Sequence, residues 1–254
     1  MNTAMVSNSV LSTEDLHKAF GGLVVAKGIN FSVLPNEVRC IIGPNGAGKT
    51  TFFNLLTGLI PIDKGTIRLE SDDVTALPVY KRQQMGLVRT FQAPRIFPEL
   101  TVYDNVLLAY RSKESLFSLM KQSRSMGNAT NSVKEALEKI NMSKYTETRA
   151  GSLSHGEKKR VEMAMAIVQQ PKVLLMDEPT AGMTVRETQE IADLVNLIRS
   201  EMAVVIVEHD MEFVREIADK ITVLYRGDIA REGTLDELEN DPFIQEIYLG
   251  SVEL

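Results

Sequence analysis

Short apolar runs alternate with amphipathic stretches along the chain, and the period of that alternation changes twice. In the N-terminal part, Val10-Leu11-Ser12, the alternating segment Ile29 to Leu34 and the run Glu37 to Ile42 read as strands. A turn at Asp63-Lys64-Gly65 precedes a further strand, Thr66 to Glu70. From about Leu100 to Tyr145 the period becomes helical. Val102, Val106, Ala109 and Tyr110 recur at helical spacing, as do Val133, Ala136, Leu137 and Ile140 after Ser132, whose partner Glu135 spells a capping box. The polar stretch between them, Ser123 to Ser132, reads as a loop. After Ser154, helix and strand alternate again. Ser154 and Glu157 form an S-x-x-E box ahead of a helix with Val161, Met165 and Val168 on one face. The nearly continuous apolar strand Lys172 to Met176 ends in Asp177-Glu178. A helix over Val185 to Glu201 leads to the strand Ala203 to Val207, which ends in Glu208-His209-Asp210. The pattern predicts an α/β domain interrupted by a helical insertion, with the C-terminal ends of parallel strands gathered on one edge.

Candidate chemistry collects at those strand ends. Residues 43–50 read Gly43-Pro44-Asn45-Gly46-Ala47-Gly48-Lys49-Thr50, a complete G-x-x-x-x-G-K-[ST] loop directly after an apolar strand. Glycines let the backbone approach phosphate oxygens where a Cβ would intrude. Lys49 brings a compact positive charge for the β- and γ-phosphates, Thr50 a hard oxygen suited to Mg²⁺, and Thr51 a further phosphate hydrogen bond. The pair Asp177-Glu178 offers one carboxylate to hold Mg²⁺ and a second to orient or deprotonate an attacking water. By itself the loop marks a nucleotide polyphosphate with Mg²⁺, as in kinases, GTPases and motor proteins alike, and His209 should converge on the same edge.

Composition narrows the class. The 254 residues are 44% hydrophobic, enough for one large or two small domains, and no apolar run approaches the roughly 18 residues needed to span a bilayer. Residues 1–9 are polar, without a signal-peptide pattern, which points to the cytosol. The one cysteine, Cys40, lies in a strand expected to be buried. A net charge of −6 argues against nucleic acid as a partner. The one basic cluster, Lys158-Lys159-Arg160, reads as the solvated side of a helix.

Leu153-Ser154-His155-Gly156-Glu157 resembles the signature motif of ATP-binding cassette (ABC) proteins, usually Leu-Ser-Gly-Gly-Gln, with His155 and Glu157 as departures. The resemblance extends over almost the whole chain. It implies a phosphate-loop NTPase of the ABC nucleotide-binding type, α/β with an antiparallel β subdomain and an inserted α-helical subdomain. Residues 1–92 and 151–254 would form the catalytic core and 93–150 the insertion. By the same resemblance, Gln92 contacts Mg²⁺ and the attacking water, and His209 holds the γ-phosphate and Glu178 in register. Phe20 would stack on adenine, and Ser154 and Gly156 would bind the γ-phosphate held by another subunit's phosphate loop. The loop Ala181-Gly182-Met183-Thr184 ends in Thr184 where the family normally has Asp, leaving a hydroxyl for hydrogen bonding.

Several stretches resemble a subfamily, the ATPase subunits of importers for branched-chain amino acids or for urea and short amides. Arg39-Cys40-Ile41-Ile42 and the Thr-ending loop lean toward the urea type, Arg89-Thr90-Phe91-Gln92 toward the amino-acid type. The implied assembly contains two permeases, a solute-binding protein and a pair of ATPase subunits, preferably a heterodimer, held at the inner face of the membrane. Phe97, Leu100 and Tyr103 are expected to line the groove for a permease coupling helix. The alternative is a soluble ABC ATPase working on nucleic acid or ribosomes, which usually carries long coiled-coil insertions or two cassettes; this chain has one cassette and a short insertion.

Overall fold

The computed structural model describes residues 8–112 and 122–249. The chain opens with two long antiparallel strands, β1 (Leu11–Phe20) and β2 (Leu23–Val33), and then enters the short, fully buried β3 (Val38–Ile42). Helix α1 (Lys49–Thr57) follows, then β4 (Lys64–Leu69), β5 (Asp72–Asp73), α2 (Val79–Gln84) and β6 (Leu87–Arg89). The insertion supplies α3 (Val102–Ser112) and α4 (Gln122–Lys139). The chain then alternates through α5 (His155–Ile167), β7 (Val173–Asp177), α6 (Val185–Ile198), β8 (Ala203–Val207), α7 (Met211–Ile217) and β9 (Lys220–Tyr225). Strand β10 (Asp228–Gly233) and helices α8 (Leu235–Glu239) and α9 (Pro242–Leu249) complete the described residues.

Six strands form one sheet in the order β10-β9-β3-β8-β7-β6, parallel except for β10, while β2-β1-β4-β5 form a separate antiparallel sheet. Central strands are apolar on both faces because both faces are covered. On β3, Val38, Cys40 and Ile42 face the core shared with the helices, while Ile41 faces the core shared with α1 and the antiparallel sheet. Strands β7 and β8 divide in the same way, and Phe52 of α1 meets Phe31 of β2 edge-on at 5.2 Å. Burial raises the Cys40 thiol pKa well above its ordinary value, so it packs as a small apolar group.

Three sequence expectations change. The first strand does not stop at Ser12 but runs to Phe20, because β1 pairs with β2 on one side and β4 on the other, with irregular register carrying it past Glu14 and Asp15. The polar stretch 123–132 is helical, inside α4, so Ser132 and Glu135 lie mid-helix rather than at a cap. Ala129, Val133, Ala136 and Leu137 supply its buried stripe, and tertiary packing overrides the weak helix propensity of its Ser and Asn residues. Lys158-Lys159-Arg160 is not a solvated face: Lys159 is buried and Lys158 and Arg160 are half-buried. Glu162, one turn along, and the backbone it reaches provide the partners that make burial of Lys159 tolerable.

Two buried arginines do structural work the sequence did not announce. Arg82 donates to the carbonyls of Leu55, Leu56, Thr75 and Leu77, satisfying the C-terminal end of α1. Arg39 donates to Glu37, Thr222 and Glu232 at the sheet edge opposite the glycine loop.

Candidate functional site

Three strands end level with one another. Ile41 of β3 is in register with Val207 of β8, which is in register with Asp177 of β7. The glycine loop, the Asp177-Glu178 pair and Glu208-His209 therefore emerge side by side, as strand topology demanded.

The glycine loop is held tightly from behind. A Cβ at Gly43 would lie 2.2 Å from the Leu224 carbonyl oxygen, and Gly46 and Gly48 have φ of 78° and 103°. Gly48 is the N-cap of α1 and offers no capping side chain, so the first-turn N–H groups of Lys49, Thr50 and Thr51 are presented to an anion. Lys49 Nζ donates to the Gly43 carbonyl at 2.6 Å and the Pro44 carbonyl at 3.2 Å. Desolvation lowers the Lys49 pKa, opposed by the negative charges of Glu178 and Asp177. Pro44 and Ala47 close the loop through the Ala47 N–H to Pro44 carbonyl bond, while Asn45 and Gly46 at its tip are exposed.

Asp177 is buried, and its Oδ2 accepts from Arg89 at 2.6 Å; the same guanidinium donates to Asn54 of α1 at 2.6 Å. Arg89, in sequence only a subfamily feature, bridges the carboxylate to the helix after the glycine loop. Glu178 takes a left-handed backbone, φ 45°, and its Oε2 accepts from Gln92 Nε2 at 2.9 Å. That conformation is unfavourable for a non-glycine residue, and such strain concentrates at functional positions.

His209 is exposed, with Nδ1 3.7 Å from Glu208 Oε2. Glu208, which no local pattern in the sequence marks, is fully buried and accepts from the Thr180 amide and hydroxyl and from the His209 amide. It ties the segment after Glu178 to the segment bearing His209. Phe20 sits at the β1–β2 turn, 47% exposed, with Lys18 Nζ 5.5 Å from its ring centroid, which makes it a surface aromatic and not core.

Ser154 is the N-cap of α5 and shares a reciprocal capping box with Glu157, whose carboxyl is held below the usual range by hydrogen bonds from Tyr145 and the Ser154 amide. Gly156 is buried against α6: a Cβ there would lie 2.3 Å from Glu187 Oε1. Thr184 uses its hydroxyl in a second capping box, with Glu187. The structure brings together the glycine loop, Asp177, Glu178 and Gln92; Ser154 and Gly156 instead stand at the start of α5, on the insertion's side.

Beside Gln92 a cleft of about 390 Å³ is lined by Leu59, Val79, Phe91, Phe97 and Leu108, among others. Phe97 is exposed there, as expected. Leu100 and Tyr103 are not part of its lining: Tyr103 packs against the insertion's core and its hydroxyl pairs with Thr130, and Leu100 is half-buried.

The donor set suits a nucleotide with Mg²⁺. Among the described residues no cluster of three or more His, Cys, Asp or Glu side chains could hold a metal ion unaided.

Comparison with known proteins agrees with this geometry. The family model described as ABC transporter matches residues 26–181. The high-affinity branched-chain amino acid transport ATP-binding protein LivG of Escherichia coli is 38% identical, over 96% of this chain and 99% of its own length. BraF of Pseudomonas aeruginosa, with the same description, is 36% identical over the same shares. Among solved structures, the ADP conformation of MJ1267, an ATP-binding cassette of an ABC transporter, superposes with a TM-score of 0.84. It is 33% identical and the match covers 95% of this chain and 99% of that one.

Proposed function

The chain belongs to the ABC transporter family as an ATP-binding, ATP-hydrolysing subunit, and from that premise we propose that it powers an importer for branched-chain amino acids or for urea and short amides. The observation that carries the catalytic half of this reading is the level ending of β3, β7 and β8, with Gln92 bonded to Glu178 across the edge. Residues 1–92 and 151–254 act as the catalytic core, and 93–150 as the helical subdomain.

The glycine loop, with Lys49, Thr50 and Thr51, binds the phosphates of ATP, and Phe20 offers its exposed face to the adenine. Thr50, Asp177 and Gln92 would hold Mg²⁺, which neutralises charge on the β- and γ-phosphates when bound. Glu178 orients and deprotonates the attacking water, Gln92 fixes the carboxylate that does so, and His209 holds the γ-phosphate side of the site. Ser154 and Gly156 complete the ATP site of a second subunit, a heterodimeric partner by preference. ATP thereby favours the closed pair, and hydrolysis reopens it.

ABC ATPase subunits work with permeases, and no helix among the described residues is long and apolar enough to cross a membrane. Attachment at the inner face of the membrane would run through the cleft beside Phe97, which receives an amphipathic permease helix, with a solute-binding protein acting indirectly. The branched-chain amino acid class is supported by the likeness to LivG and BraF, and the urea and short-amide class by the Arg39-Cys40-Ile41-Ile42 and Thr184 features of the sequence alone. The test is assembly with hydrophobic permease subunits: Phe97→Ala is expected to weaken co-purification and substrate-stimulated ATPase, with unstimulated ATPase retained. Unchanged assembly and stimulation would remove Phe97 from the permease contact.

A further inference from the structure

We infer that the buried Lys159–Glu162 pair of α5 is a positioning device for Gln92, so that the helix carrying Ser154 and Gly156 and the loop carrying Gln92 move as one body.

The geometry is specific. Lys159 and Glu162 have side-chain exposures of 1% and 6% and lie 3.1 Å apart. Glu162 Oε1 accepts from the Phe91 N–H at 3.1 Å and from the Arg95 N–H at 3.2 Å, while Lys159 Nζ donates to the Phe91 carbonyl. Two side chains one helical turn apart thus grip the backbone on both sides of Gln92. The Phe91 ring is fixed as well, with the Arg95 guanidinium 3.8 Å and the Arg89 guanidinium 5.2 Å from its centroid. Gln92 itself is exposed, and its side chain donates to Glu178 Oε2 at 2.9 Å, so the grip on its neighbours' backbone rather than burial fixes it.

A buried ion pair gains little stability over an apolar pair of similar size, since desolvation offsets the attraction. Apolar side chains could fill this space, but they could not hold three backbone polar groups of a loop. The pair therefore supplies placement: a shift of α5, whose N-terminus meets the second subunit's nucleotide, reaches Gln92 without slack. Misplacement of about 1 Å at a reacting centre can cost about a hundredfold in rate.

This inference rests on the roles proposed above for Gln92 and Glu178, so the experiment carries controls for both. The ATPase is assayed in its assembled transporter with MgATP, together with amide hydrogen exchange at Phe91 and Arg95. The double variant Lys159→Met/Glu162→Met removes both charges and keeps the volume, and a thermal midpoint near wild type verifies that it is folded. It is expected to lower kcat about tenfold with KM for ATP unchanged within about twofold, and to speed exchange at both amides about tenfold or more. Glu162→Gln, which retains a carbonyl acceptor for the two amides, is expected to recover most of the rate. A folded double variant with wild-type kcat, or one whose loss lies in KM, overturns the inference, as does unaltered exchange at Phe91 and Arg95. Gln92→Ala and Glu178→Gln are measured in parallel. If both slow turnover while the double variant does not, the clamp alone fails; if neither does, the assignment of the site fails and the clamp with it.

Discussion

On the glycine-loop side of the site, functional atoms are placed by backbone: glycines in left-handed conformations, a helix start without a capping side chain, strand ends in register. Elsewhere in the site they are placed by buried charge: Lys159 and Glu162 of α5 hold the Gln92 loop, Glu208 joins Thr180 to His209, and Arg89 holds Asp177. Backbone placement is rigid once the strands pair. Placement by buried side chains can shift as helices move, since each contact joins two separate elements. On the proposed reading, phosphates would sit against the rigid half, and the groups facing a second subunit and the permeases would hang from the adjustable one.

The largest expected effect lies in the rigid half. Lys49→Ala should weaken ATP binding by on the order of a hundredfold, since one charge-assisted partner of the phosphates is lost. Nucleotide titration reads this directly. Near-normal affinity would mean that backbone N–H groups alone suffice, sharpening the comparison in favour of the loop.

Next in size is a stability effect that tests whether buried charge also supports the rigid half. Arg82→Met removes four donors to main-chain carbonyls behind α1 and should cost about 3 kcal/mol in urea unfolding. A loss below about 1 kcal/mol would show that water satisfies those carbonyls equally well.

Smallest is the pH dependence of the Thr184–Glu187 cap beneath Gly156. Hydrogen bonds from the Thr184 amide and hydroxyl hold the Glu187 carboxyl below its usual range. Its contribution is therefore fully present above the unfolded value of about 4.3 and is lost as pH falls through the lower folded value. Thermal midpoints of wild type and Glu187→Gln should differ at neutral pH and converge in that acid range. A gap that persists unchanged there would exclude the carboxylate as its source.

The two halves were unequally legible in the sequence. Gly43 to Thr50, Asp177-Glu178, the central strands and the Ser154–Glu157 cap are local patterns whose geometry follows from a few adjacent residues. Glu208, Arg89 and the Lys159–Glu162 pair gain meaning only from partners far along the chain, and Lys159 inside a basic triplet looks solvated until Phe91 is folded onto it. Helix α4 was obscured for a related reason: its polar residues outnumber the buried stripe that holds it. Tyr103 and Leu100 shared the apolar character of Phe97, but only packing could tell core from cleft.

The central claim, that one chain holds half of each ATP site, is tested most directly by sedimentation of Glu178→Gln with its partner subunit in ATP. A stable pair containing two ATP is expected, one that dissociates in ADP and fails to form when Ser154 is also changed to Arg. Subunits that bind ATP yet sediment singly would contradict it.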